Sequence, residues 1–345
     1  MRHSIIPPYL LDRIAEAPEL GEAARSARRA LTLDAPLRAA RISLSVDGWT
    51  GSLPVELERD TPERTISDAG GTEVLPGRVV RREGDDPTGD VAVDEAYDGL
   101  GATHRLLRAA FGRRSIDDRG LPLEATVHYG EAYDNAFWDG ARMVFGDGDG
   151  VVFNRFTASL SVIGHELAHG LIQYSANFVY QGQSGALNES VSDVIGALVE
   201  QHELGQTAHE AHWLIGAGLF TDQVQGVALR SMAAPGTAYN DDALGRDPQP
   251  AHMADYVETE DDYGGVHINS GIPNKAFSLT ATALGGFAWE RAGLIWYDAL
   301  LSGVSANADF SEFAAATRDA AAQRFGSGSA EHIAVSDGWR QVGFG

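Results

Sequence analysis

The sequence contains no cysteine. Disulfides, thiolate metal sites and cysteine nucleophiles are therefore excluded together, and any metal must be held by His, Asp or Glu. Positive charge is scarce: 26 Lys and Arg face 49 Asp and Glu, a formal net charge of −23, and Lys275 is the one lysine. Nucleic acid and anionic membrane surfaces are bound by clustered Lys and Arg, so neither is an expected partner. No apolar run approaches the roughly 20 residues of a membrane span. Met1-Arg2-His3 followed by Ile5 to Leu11 is too short for a secretory core and carries Pro7-Pro8 in its middle. The expectation is a cytoplasmic chain without a signal peptide, exported, if at all, by a non-classical route. What remains is a chain of 345 residues, 43% hydrophobic, long enough to bury a large core.

Along the chain, residues 1 to about 50 stand apart. Leu10, Leu11, Ile14 and Leu20 give loose helical spacing, and Arg25, Arg28, Arg29, Arg38 and Arg41 make the segment locally basic on an acidic whole. This reads as an N-terminal helix packed on the body, or as a detachable segment docked on acidic surface. Residues 50–90 read as turns and irregular strands around Gly77 to Arg81, and Asp90 to Phe111 has helical spacing. Thr126 to Tyr129 and Met143 to Phe145 read as strands, with Gly146-Asp147-Gly148-Asp149-Gly150 as a hairpin connection rather than a calcium loop. From 157 the spacing predicts helices over about 157–176, 187–203, 207–219, 271–287, 290–303, 309–323 and 331–341. A strand-rich front and helix-rich back give an α+β fold of two lobes with a site in the cleft between them.

His165-Glu166-Leu167-Ala168-His169 lies inside the apolar stretch Leu160 to Ile172. On a helix, His165 and His169 share a face and aim two imidazoles at one point, with Glu166 near a metal-bound water. Twenty residues past His169, Asn188-Glu189-Ser190-Val191-Ser192-Asp193 opens a second helical stretch in which Glu189 and Asp193 share a face. One of the two carboxylates can complete a His–His–Glu site, and the other can accept the free ring N–H of a ligating histidine. In Asp262-Tyr263-Gly264-Gly265-Val266-His267 the glycines allow a tight loop that can bring His267 to the cleft, with Asp262 as its partner.

These segments resemble the thermolysin-like neutral metallopeptidases from about Arg64 to the C-terminus, through Val127 to Gly130, Tyr133 to Trp138, Gly146 to Gly150, the zinc helix, Gly185 to Glu189, Leu229 to Met232 and Gly264 to Asn274. The first fifty residues, with Pro7-Pro8-Tyr9-Leu10, are similar to the short propeptide of the protealysin-like branch. The resemblance implies a two-lobed thermolysin-like zincin: a propeptide over 1–50 with its boundary within 39–61, a strand-rich catalytic lobe over 51–175 that includes the zinc helix, and a helical lobe over 176–345. It implies one catalytic zinc on His165, His169 and Glu189, with Glu166 as the base that deprotonates the zinc-bound water. It implies that Asp193 orients His165, that His267, held by Asp262, and Tyr180 donate to the oxyanion, and that Asn135, Ala136, Arg230 and Asn188 hold the substrate. Phe153, Phe156, Val162 and Leu229 would line an apolar S1′ pocket, so cleavage is expected on the amino side of Leu, Phe, Ile or similar residues of peptides and proteins. The propeptide would cover the cleft. At the family's calcium positions Glu200 remains, but Ser161, Leu214, Ala217 and Val227 stand where carboxylates are expected, so calcium sites should be reduced or absent. Two other readings are an inactive metal-binding scaffold and an aminopeptidase. The first has no use for Glu166, and the second lacks an anchor for a free α-amine.

Overall fold

The computed structural model describes residues 3–33 and 61–345, so most of the expected propeptide boundary lies outside the described residues. The chain begins with β1 (His3–Ser4), then α1 (Pro8–Glu16) and a helix α2 over 22–33. Pro7 caps α1 with extended backbone, the geometry that proline's fixed φ favours at a helix start. Ile5, Ile6, Leu10, Leu11 and Ile14 are all at most 1% exposed, each worth about 1.5–3 kcal/mol relative to exposure. Arg29 of α2 pairs with Glu73 and Glu131, both at 3.2 Å.

The front lobe holds β2 (Arg64–Asp68), β3 (Arg78–Arg82), α3 (Val91–Phe111), β4 (Leu123–Val127), β5 (Ala136–Trp138) and β6 (Met143–Phe145). Asp90 caps α3 by accepting from the Ala92 and Val93 N–H groups, and Gly112 ends it in the left-handed conformation. The sheet runs β1-β5-β6-β4-β2-β3. Its edge beyond β5 is therefore filled by the N-terminal segment, antiparallel, with Ser4 opposite Phe137.

Two interior helices follow, α4 (Leu160–Gln173) and α5 (Gly182–Leu204), buried without a break from Ser161 to Ile172 and from Ser184 to Val199. They approach closely because of glycine: a Cβ on Gly196 would lie 2.3 Å from the Ser161 carbonyl oxygen, and one on Gly164 3.0 Å from the Gly196 Cα. The back lobe adds α6 (Asp262–Asn269), α7 (Gly271–Leu284), α8 (Ala292–Leu301), α9 (Phe310–Phe325) and α10 (Ala330–Gln341) around stacked Trp296 and Trp339.

Three local expectations need correction. Residues 207–219 are not a helix but turns leading into β7 (Leu214–Ile215), paired with β8 (Arg230–Ser231). Trp213, Gly216 and Gly218 take positive φ there, and Ala208, Trp213, Ile215 and Leu219 are buried one by one from irregular backbone. Gly146 to Gly150 is no hairpin. Asp149 Oδ1 instead accepts from the Val151, Val152 and Phe153 amides at 2.6, 2.7 and 3.2 Å, and the chain turns away from the sheet. The second buried helix begins at Gly182 rather than 187. Among the described residues no helix is long and apolar enough to cross a membrane.

Candidate active site

α4 and α5 converge on one point. His165 Nε2 and His169 Nε2 are 3.1 Å apart, Glu189 Oε2 lies 3.4 Å from the first and Glu189 Oε1 3.6 Å from the second. All three side chains are fully buried. Their other ring nitrogens are occupied: His165 Nδ1 donates to Asp193 Oδ1 at 2.8 Å, and His169 Nδ1 to Asn188 Oδ1 at 2.8 Å, with Ser192 Oγ at 3.0 Å. With both Nδ1 atoms so engaged, the two Nε2 atoms face each other across one point, an arrangement that calls for a cation, proton or metal, between them. Four ligands held tetrahedrally at about 2.0–2.1 Å from zinc are about 3.3 Å from one another, and the observed separations bracket that value. The donor set fits zinc. Glu166 also lies within 4.8 Å of the two histidine nitrogens, but its Oε2 accepts the Trp138 N–H at 3.0 Å, from the edge strand.

The charges agree with this. Burial works against ionisation of Glu189, yet His267, His169 and His165 outweigh it and hold the carboxyl well below the usual range. Burial likewise opposes a charged His165, but Asp193 and Glu189 hold its imidazolium up to about 9. The cavity favours positive charge. Asp193, which burial alone would push up, is held at about 2 by Arg230 and His165. Arg230 grips it through two parallel bonds, Nε to Oδ2 at 2.9 Å and Nη2 to Oδ1 at 2.8 Å.

His267 arrives from α6. Asp262, Tyr263, Gly264 and Gly265 take φ of 51, 54, 81 and 72°, one left-handed turn that the two glycines make tolerable. Asp262 Oδ1 then accepts from His267 Nδ1 at 2.6 Å and Asp262 Oδ2 from the His267 amide at 2.9 Å. Tyr180, in the connection between α4 and α5, lies 3.3 Å from His267 Nε2 and hydrogen-bonds to Glu189. Phe153, Phe156, Val162 and Leu229 are all buried, and the Phe153 and Phe156 rings meet at 5.7 Å.

Asn188, expected against the substrate, is turned to His169 instead. Three groups escaped the sequence reading: Asn274, which donates to Asp193 Oδ2 at 2.8 Å; Gln249, which donates to the His267 carbonyl at 2.8 Å; and Ser192. They are polar residues in buried runs, and an isolated buried amide or hydroxyl in sequence is a signal only once its neighbours are known.

A spare carboxylate one residue from a zinc ligand, beside an edge strand that pairs with extended peptide, defines the class: a zinc metalloendopeptidase. Comparison with known proteins names the family. Residues 68–173 match the thermolysin metallopeptidase catalytic domain and 176–344 its alpha-helical domain, and the chain belongs to the thermolysin metallopeptidase family. It is 51% identical over 342 residues to an extracellular metalloprotease of Pectobacterium carotovorum subsp. carotovorum, covering 99% of this chain and 96% of that one. It is 46% identical over 347 residues to Protease PrtS of Photorhabdus sp. (strain Az29), covering 98% and 91%. The precursor of protealysin, a metalloproteinase from Serratia proteamaculans, superposes with a TM-score of 0.88 at 50% identity over 99% of this chain and all of that one. The expected cytoplasmic location is overturned here, because relatives are named as extracellular metalloproteases.

Proposed function

We propose that this chain is a secreted precursor whose first fifty or so residues cover the cleft, and whose catalytic lobes, 51–175 and 176–345, cut peptides before bulky apolar residues. His165, His169 and Glu189 hold the zinc, oriented by Asp193 and Asn188. Bound there, zinc supplies Lewis-acid polarisation of the scissile carbonyl and acidifies a water. Glu166, steadied by the Trp138 amide, takes the proton of the attacking water and delivers it to the leaving amine. His267 and Tyr180 donate to the carbonyl oxygen as it gains charge. Asn135, Ala136 and Arg230 hold the peptide backbone, and Phe153, Phe156, Val162 and Leu229 form the apolar S1′ wall. One observation carries the reading: three ligand side chains whose nitrogen and oxygen atoms approach to 3.1–3.6 Å, with both imidazole Nδ1 groups already engaged.

We also infer that calcium is dispensable. Ser161, where the family pattern leads one to expect a carboxylate, donates no charge; its Oγ accepts from the Gly216 amide at 3.1 Å. Glu200 pairs with His212 at 3.4 Å, and burial pushes its carboxyl up to about 7. These contacts tie the 212–216 segment to the buried helices directly. The test of function is hydrolysis of a quenched Gly-Leu peptide by the matured chain against Glu166→Gln, with zinc content measured for both. A rate loss of about 10²–10⁴-fold with zinc retained is expected; equal rates would leave only a metal-binding scaffold.

A further inference from the structure

We propose that the chain is its own first substrate, and that the bond it presents to itself is Ser4–Ile5. This rests on the function proposed above. The segment lies in the cleft with a defined register. The Ile5 N–H donates to the Ala136 carbonyl at 3.1 Å, and the Ile6 N–H to Asn135 Oδ1 at 3.0 Å. Arg230 Nη1 donates to the Ile5 carbonyl at 3.3 Å, and His267 Nε2 lies 3.1 Å from the Ser4 carbonyl oxygen. Asn135, Ala136 and Arg230, the groups proposed above to hold a substrate backbone, are thus engaged by consecutive backbone atoms of residues 5 and 6. The Ser4 carbonyl is the one that meets the oxyanion donor, with Tyr180 beside the same nitrogen. The bond that follows that carbonyl is the scissile one.

Side chains agree with the backbone. The residue after the bond is Ile5, bulky, apolar and 0% exposed, as the expected preference for cleavage on the amino side of such residues requires. Slipping by one residue would turn Ile5 to the opposite face of the strand. Slipping by two would present Ile6–Pro7, whose nitrogen carries no hydrogen. Docking of α1 opposes both shifts, through buried Leu10, Leu11 and Ile14 and through Arg13 Nη1 donating to the Leu244 carbonyl at 2.8 Å.

The step is a plain hydrolysis. Water oxygen bonds to the Ser4 carbonyl carbon, the C–N bond to Ile5 breaks, and Glu166 carries a water proton to the Ile5 nitrogen. The products are Met1–Ser4 with a new carboxylate and a chain starting at Ile5 with a new amine. Because α1 and α2 keep Ile5 and Ile6 seated, the trimmed chain still covers its cleft, so trimming precedes activation and does not cause it.

Intact-mass analysis of the purified full chain in zinc buffer tests this. The expected result is loss of Met1–Ser4 at a rate independent of protein concentration, no loss in Glu166→Gln, and at least about tenfold slowing in Ile5→Asp. A first cut elsewhere, an unshortened chain, or a rate proportional to concentration overturns the proposal. A quenched Gly-Leu peptide assayed on matured enzyme separates the failures: peptide cut with Ser4–Ile5 intact sinks this inference alone, whereas neither cut sinks the peptidase reading too. A readout without turnover is hydrogen exchange in metal-free Glu166→Gln. There the Ile5 and Ile6 amides should exchange at least about 100-fold slower than in a free peptide of residues 1–12, and free-peptide rates overturn the register.

Discussion

Asp134 is a side chain whose state its surroundings dictate. It is fully buried beside a second carboxylate, Asp149. Burial and the Asp149 carboxylate push its carboxyl up to about 9, with the Ser26 hydroxyl of α2 working the other way. Asp149 Oδ2 has no hydrogen-bond donor, so a proton kept on Asp134 can serve it as well. The sign follows from proton counting. Between the unfolded value near 3.8 and about 9 the folded chain holds a proton that the unfolded chain has released, so this site's contribution falls as pH rises through that window. Asp134→Asn supplies a permanent donor to Asp149. It should stabilise the full chain by on the order of 2 kcal/mol at pH 8 and change little at pH 4, as read from urea midpoints at the two pH values. Equal gains at both would remove the shared proton.

Between elements, the decisive contact is the glycine crossing of α4 and α5, because it sets the distance from His165 and His169 to Glu189. Gly196→Ala puts a methyl 2.3 Å from the Ser161 carbonyl oxygen and 3.3 Å from His165 Cβ. The helices must separate. A loss of about 1–3 kcal/mol is expected, together with weakened zinc retention in a chelator titration. Gly205→Ala is the control. It sits in the left-handed position that ends α5, with φ of 64° and nothing within 4 Å. It should cost about 1 kcal/mol and leave zinc affinity alone. If both variants lose zinc equally, the crossing is not what spaces the ligands.

At the scale of the whole molecule, the N-terminal segment completes the sheet edge, reaches Arg230 and His267, and pairs Arg29 with Glu73 and Glu131. Metal dependence also belongs to this scale. Calcium bound at 100 times its dissociation constant would add about 2.7 kcal/mol of stability. The matured chain should show no such gain when calcium is added to a zinc-loaded sample, whereas zinc removal should lower its melting temperature. A calcium-dependent rise in melting temperature would show that oxygen ligands at other positions hold the ion.

The sequence by itself determined the zinc helix, the carboxylates of α5 and the two-lobed order, because four-residue spacing on a helix is a local rule that survives any packing. It also exposed the unusual status of residues 1–50 through a local change of charge. Where apolar spacing had no such rule to anchor it, at 207–219, it gave a helix that the fold replaces with turns around Trp213 and Gly216. Only the tertiary structure decided that Asn188 serves His169, that Asn274 and Gln249 steady the site, and that the Ser4 carbonyl meets His267. Those facts depend on which buried polar groups find one another between separate elements, 18 to 263 residues apart, and on a register fixed by the docking of α1, neither of which is encoded in any one stretch of chain.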